Sequence, residues 1–362
     1  MSWLRVGLLV SSLVLSIPLV SSQAGGTVGS DDGAPDGFFA ASMTTRAADV
    51  VYLLGDRDCG DKRCPVLLRG RHGGKFRQLA PPPVPVSYPC AKPCGTHIYA
   101  SQVAFATRSF GYLAVPYLFM TRNSGRDWHR VRGFHGLVDV LASPHSVVLV
   151  GQGRPRCKYG CDLYAWRARP GSTTFTKHRL GNAAYVNYDG TAAAGRYFYV
   201  LLAGSDFDNV MFASSDGGRT WVRRSVTCPA GQAAAMPTAA PRGVVWVICE
   251  PTGGGNYPDY LLTSLDAGRT WGPELQIPHG SEKRESTLDI AAASPTDGYA
   301  LVSDHQVVVT HNAGVTWEAS LSASHDLIAD VEAANAADIY ALGLDHLYRS
   351  ADSGGTWTRR RT

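Results

Sequence analysis

The sequence predicts an all-β protein: a single seven-bladed β-propeller with four antiparallel strands per blade. Three observations carry that expectation. An eight-residue motif recurs along the chain, its copies end on aromatic residues at near-regular intervals, and the stretches between them are short apolar runs. Short strands repeating every 40–50 residues or so describe propeller blades, whereas a helical solenoid would need apolar stripes at a 3.6-residue period.

The motif reads [ST]-x-[DN]-x-G-x-[TD]-W. Its clear copies are Thr121–Trp128 around Asn123, Ser214–Trp221 around Asp216, Ser264–Trp271 around Asp266, Thr310–Trp317 around Asn312, and Ser350–Trp357 around Asp352. Two degenerate copies, Arg69–Phe76 and Arg167–Phe175, fill the gaps, so the aromatic ends fall at 76, 128, 175, 221, 271, 317 and 357. Blades are expected at about 37–80, 96–133, 137–180, 184–227, 233–277, 287–321 and 326–362.

Each unit repeats one layout. In the second, the strand-like runs are Tyr99–Ala106, Gly111–Val115 and Tyr117–Thr121, with a fourth beginning at Trp128. In the sixth they are Leu288–Ala292, Gly298–Val302 and Gln306–Thr310, then Trp317. The motif therefore bridges strands 3 and 4. There an Asp or Asn is expected to accept hydrogen bonds from N–H groups of its own turn, the Gly to take a positive φ, and the Trp to pack its apolar face into the blade. This is a fold device rather than a site of chemistry.

These residues resemble the Asp-box, or bacterial neuraminidase repeat, across all seven units. The resemblance implies a propeller like those of sialidases, xyloglucan-cleaving glycoside hydrolases, sortilin-type receptors and the photosystem II assembly factor of cyanobacteria and chloroplasts. It specifies the fold and is nearly silent on function. Sialidases of this family carry an Arg-Ile-Pro sequence; here it is absent, and the nearest features, Arg154-Pro155-Arg156 and Arg242, do not match. The xyloglucan enzymes resemble two propellers facing across a cleft, and this chain is long enough for one.

The chain start reads as an export signal over residues 1–24, with Arg5 before the apolar run Val6–Val20 and small residues after it. That run is shorter than the roughly 20 residues a spanning helix needs. A flexible segment is expected at 25–36. The mature chain is expected to be secreted and monomeric, with no membrane span after signal cleavage. Its eight cysteines suit an oxidising compartment and fall in local pairs: Cys59–Cys64, Cys90–Cys94, Cys157–Cys161 and Cys228–Cys249. Four neighbour disulfides are expected, with thiolate-bound zinc as the rival reading; no metal or cofactor is assigned. With 44% hydrophobic residues the chain is not disordered. A net charge of +4, with its longest basic run at Arg359–Arg361, gives no footprint for nucleic acid.

Function is expected on the loops that join strand 2 to strand 3 and one blade to the next, opposite the motif turns. Every cysteine falls in or beside one of these loops. Their carboxylates Asp206, Asp208, Glu250 and Asp259 are the catalytic candidates, since glycoside hydrolysis needs two carboxyls about 5–9.5 Å apart. Arg154, Arg156, Tyr159 and Tyr257 are the ligand-binding candidates. Two readings follow: an exported recognition scaffold binding a protein or glycan on a disulfide-braced face, or a glycan-acting hydrolase working at the channel mouth.

Overall fold

The computed structural model describes residues 34–35, 37–47, 50–60, 63–71, 75–80, 103–115, 117–134, 136–152, 162–182, 186–204, 209–251, 258–278 and 287–361. These residues form seven antiparallel four-stranded sheets arranged as a seven-bladed propeller. Blade 1 is β1 (Phe38–Ala47), β2 (Val50–Asp58), β3 (Arg63–Arg71) and β4 (Arg77–Leu79). Blade 2 is β5 (Val103–Phe105), β6 (Gly111–Val115), β7 (Tyr117–Thr121) and β8 (His129–Val131). Blade 3 is β9 (Leu137–Ser143), β10 (Ser146–Gln152), β11 (Asp162–Ala168) and β12 (Thr176–Asn182). Blade 4 is β13 (Val186–Ala194), β14 (Tyr197–Gly204), β15 (Asn209–Ser214) and β16 (Val222–Val226). Blade 5 is β17 (Gln232–Ala240), β18 (Val244–Pro251), β19 (Tyr260–Ser264) and β20 (Leu275–Gln276). Blade 6 is β21 (Asp289–Ala292), β22 (Gly298–Ser303), β23 (Gln306–Thr310) and β24 (Glu318–Ser322). Blade 7 is β25 (Ile328–Ala333), β26 (Ile339–Gly343), β27 (His346–Ser350) and β28 (Thr358–Arg361). One three-residue helical turn, Pro241–Gly243, is the only helical element among the described residues.

Burial explains the composition of each strand. The middle strands of a blade lie between two neighbouring blades, so both faces are covered and the sequence runs apolar without alternation. All six residues of β15 and of β22 are buried. The fourth strand is a perimeter edge, and β16 and β28 are mostly exposed and arginine-bearing. Charges at such an edge discourage pairing with another chain. Between the blades lie seven apolar clusters, one at each seam. At the seam of blades 1 and 2, Tyr52 stacks on Phe105 with ring centres 3.7 Å apart, a geometry that contributes about 0.5–1.5 kcal/mol beyond area burial.

The recurrent turn joins strands 3 and 4. In blade 4, Asp216 Oδ1 accepts hydrogen bonds from the N–H groups of Arg219 and Thr220, both at 2.9 Å, and Oδ2 accepts from the Thr220 hydroxyl at 2.7 Å. Ser214 Oγ accepts from Gly218 N at 2.9 Å and donates to Asp216. The Ser or Thr bonds and the bond from the seventh residue's N–H recur around Asn123, Asp266, Asn312 and Asp352, with the Asn Nδ2 donating where the Asp Oδ2 accepts. Gly218 has φ +78°, and a methyl there would come within 2.7 Å of Val148 on the preceding blade. The glycine is therefore fixed twice, by backbone conformation and by the neighbouring blade.

The aromatic ends go to the seams rather than into their own blades. Trp128, Trp221, Trp271, Trp317 and Trp357 each pack against the cluster shared with the preceding blade. Trp271 and Trp357 also donate Nε1–H to blade 4 (Ser225 O) and blade 6 (Ser320 Oγ), both at 3.0 Å. Asp216→Ala is expected to cost about 1–2 kcal/mol of stability, comparable to losing a helix cap, measured by urea unfolding. Asp216→Asn should cost less, because Asn already fills this place in blades 2 and 6.

The ring closes without exchanging strands. Blade 1 is wholly N-terminal and blade 7 wholly C-terminal, and β25 meets β1 side by side. Phe38, Met43 and Leu53 pack against Tyr340, Leu342 and Leu347. At the rim the Arg360 guanidinium lies 4.6 Å from the centre of the Phe76 ring.

Candidate functional site: the central channel and the loop face

The first strand of every blade lines a central channel of about 350 Å³. Aspartate is depleted in strand interiors, yet three carboxylates on these strands line the channel: Asp289 on β21, and Asp330 and Glu332 on β25. Each bonds to the next blade. Asp289 accepts from Val331 N at 2.8 Å, Asp330 from Met43 N at 3.3 Å, and Glu332 from Thr45 N at 2.6 Å. Elsewhere Asp139 on β9 accepts from the Thr191 hydroxyl of blade 4, and Asn209 from Ala234 N of blade 5 at 3.0 Å. Asp289, Asp330, Glu332 and Asn209 thereby satisfy N–H groups that the inner edges of blades 7, 1 and 5 leave free.

The three acids are half-buried on the channel wall, and no basic residue is among the described residues that line it. Burial pushes Asp289 and Asp330 up, with the neighbouring Asp330 carboxylate adding to the rise at Asp289. Burial, then the charge of Asp330, pushes Glu332 up to about 8. A carboxyl held protonated near neutrality can donate a proton. Here the same groups also hold two seams, that of blades 6 and 7 and that of blades 7 and 1.

The loop face lies at the other ends of the strands from the recurrent turns, because antiparallel strands alternate direction. Two disulfides brace it. Cys59–Cys64 closes the loop between β2 and β3, and Cys228–Cys249 ties the link before β17 to β18. Cys90–Cys94 and Cys157–Cys161 lie outside the described residues, as do the export signal, Asp206, Asp208, Arg154, Arg156, Tyr159 and Tyr257. Glu250 and Asp259 flank the loop between β18 and β19, one step past the Cys249–Tyr260 pair. Glu250 is half-buried; Asp259 is buried and accepts from Thr287 N of the next blade at 2.6 Å.

Between blades 6 and 7 a second polar cluster forms around the buried Asp326. His346 Nδ1 lies 3.1 Å from its carboxylate, His305 Nδ1 lies 3.1 Å from its carbonyl oxygen, and Asp345 N donates to Oδ1 at 3.0 Å. Burial, with the Asp326 charge behind it, pushes the Tyr348 phenol up to about 12. The Asp-His pairs at 304–305 and 345–346 are equivalent positions of the repeat, whereas Asp326, which both histidines approach, carries no sequence signal of its own. The channel acids did carry one, as carboxylates inside first-strand runs, and the sequence reading passed over them. Among the described residues no group of three or more His, Cys, Asp or Glu is placed to hold a metal ion. No helix there is long and apolar enough to cross a membrane.

No protein-family model and no curated protein matches the sequence. Solved structures do. The chain is similar to YCF48 bound to D1 peptide, at 13% identity over 88% of this chain and 94% of the other, with a TM-score of 0.56. It is similar to a Mycobacterium tuberculosis puromycin-hydrolyzing peptidase, at 15% identity and TM-score 0.61, covering 90% of this chain but 53% of the peptidase. The β-propeller domain of the Trilobed protease from Pyrococcus furiosus, described as having an open velcro topology, matches at 7% identity and TM-score 0.58 over 89% of this chain and 97% of that one. At these identities the likeness shows the fold alone.

Proposed function

We propose that this protein is an exported recognition scaffold of the Asp-box type, acting as a monomer that binds a protein segment on its loop face. The observation that carries the reading is the bracing of that face by Cys228–Cys249 and Cys59–Cys64. A covalent tie across irregular loops preorganises a surface for binding. Two further points support it. The channel carboxylates and Asp259 are bonded to backbone of neighbouring blades, which commits them to the fold. YCF48, a propeller of similar extent, is a protein seen with a bound peptide.

The test is a screen of the purified protein on peptide and glycan arrays, followed by titration of the best ligand. Replacing Arg154, Arg156 and Tyr159 together by Ala is expected to weaken binding at least about tenfold without lowering the unfolding midpoint. Equal binding by that variant would place the ligand elsewhere. Glycan hydrolysis is the second reading, favoured by one observation: the raised carboxyls of Asp289, Asp330 and Glu332 share a channel. Glycan-only hits with turnover would favour it.

A further inference from the structure

The face carrying the recurrent turns is not uniform. Corresponding places in successive blades carry opposite charges there. In the hairpins joining strands 1 and 2, blades 4 and 5 place Arg196 and Arg242, whereas blades 6 and 7 place Asp297 and Asp338. At the sixth position of the turn motif, blades 4 and 5 carry Arg219 and Arg269, whereas blades 6 and 7 carry Val315 and Gly355. The acids on one side are already paired: Asp297 with His311, Asp338 with Arg349. The arginines on the other side have no carboxylate partner among the described residues. The nearby Asp216 and Asp266 carboxylates are taken up by N–H and hydroxyl groups of their own turns.

Two clefts run between these arginines. One, of about 240 Å³, lies between blades 4 and 5 and is edged by Arg196, Arg224, Arg242 and Arg269, with Tyr197, Val222 and Ala267 as its apolar wall. The other, of about 760 Å³, lies between blades 3 and 4 and is edged by Arg167, Arg169, Arg196 and Arg219, with Phe110, Pro144 and Pro170 beneath. Arg196 borders both, so the two clefts adjoin at its side chain as a trench in two parts. Arg167 is held in place by its Nε, which donates to Ser146 Oγ and Gly217 O, leaving the outer end of its guanidinium for a ligand. Arg224 Nε is buried without a hydrogen-bond partner. Arg242 sits at φ +69°, a conformation a non-glycine residue rarely adopts. Burial, then the charges of Arg219 and Arg169, lowers the Arg167 pKa, with the Asp216 carboxylate at the cleft opposing them in part.

We infer that this trench binds an acidic peptide segment of a protein partner, its carboxylates held by the guanidinium forks and its apolar side chains on the wall between them. Guanidinium matches carboxylate in a planar, two-bonded geometry. Apolar ground between the charges suits a peptide, whose acidic and apolar side chains alternate. A nucleic acid would want a long basic stripe, and here the positive edge stops at blade 5 and gives way to Asp297 and Asp338.

The probe is a fluorescent twelve-residue peptide alternating Glu and Leu, titrated into the purified protein at low salt and read by anisotropy. Saturable binding is expected, weakening as salt rises, with no binding of the Gln/Leu analogue. Arg196→Glu with Arg219→Glu, both exposed, is expected to weaken binding at least about tenfold. Arg359→Glu with Arg361→Glu, an equal charge change on the outer strand of blade 7, is expected to leave it within about twofold. Should the first pair unfold the protein, Arg196→Gln with Arg219→Gln serves the same comparison. Absence of peptide binding, equal loss in the blade 7 pair, or tighter binding of a twelve-nucleotide oligothymidine than of the peptide would each overturn the inference.

Discussion

Trp246→Ala is expected to lower the unfolding free energy by about 3–5 kcal/mol, the range for deleting a buried aromatic ring. Trp246 on β18 is fully buried and packs across the seam of blades 5 and 6 with Ala300, Val302 and Val308. Its ring covers Gly298 at the start of β22, where an added methyl would overlap the indole. Gly298→Ala is therefore expected to destabilise by overpacking, by about 1–3 kcal/mol. Combined with Trp246→Ala it should cost less than it does alone, because the cavity accepts the methyl. Urea unfolding of the two single variants and the double variant measures all three values. A Trp246→Ala protein as stable as wild type would contradict the seam packing described above.

Raising the pH from about 5 to about 8 is expected to destabilise the protein, opposite to the usual behaviour of carboxylates. Glu332 is pushed up to about 8 in the folded state, and Asp289 and Asp330 are also raised. An unfolded Glu loses its proton near pH 4.3 or so. Between those values the folded chain holds protons that the unfolded chain has released, so stability falls as pH rises. The turn carboxylates act the other way. Hydrogen bonding by Thr270 N–H and by the Thr356 hydroxyl, respectively, holds Asp266 and Asp352 down at about 2. Their contribution is present above the unfolded value of about 3.9 and is lost as pH falls toward 2. A stability maximum on the acid side of neutrality is the expected sum. Glu332→Gln keeps an acceptor for Thr45 N and should flatten the limb between pH 5 and 8. A profile unchanged by that substitution would remove Glu332 as its cause.

The parts of this fold that were readable in the sequence are the parts the repeat dictates. The runs at 298–302 and 306–310 became β22 and β23 almost residue for residue, because strands covered on both faces must be apolar throughout. The turn chemistry of Asp216 and Gly218 was readable because it is local. The destination of Trp221 and its counterparts was not, since a seam partner lies about one repeat away in the chain and leaves no trace in the motif. The same limit hid the duty of Asp259, whose partner Thr287 belongs to the next blade. It hid the trench as well: Arg196, Arg219 and Arg242 look like ordinary solvated turn residues until three blades are set side by side. Arg154 and Tyr257 fall outside the repeated sequence positions, so their pattern carries composition but no geometry.

Recognition and hydrolysis part most directly at Glu332. The decisive measurement is ligand binding and glycoside turnover by wild type and Glu332→Gln side by side, at a pH where both are folded. The expected result is no turnover by either protein and ligand affinity equal within about twofold, with only the pH dependence of stability altered. Turnover by wild type that falls to background in Glu332→Gln would contradict a scaffold whose channel acids serve the fold.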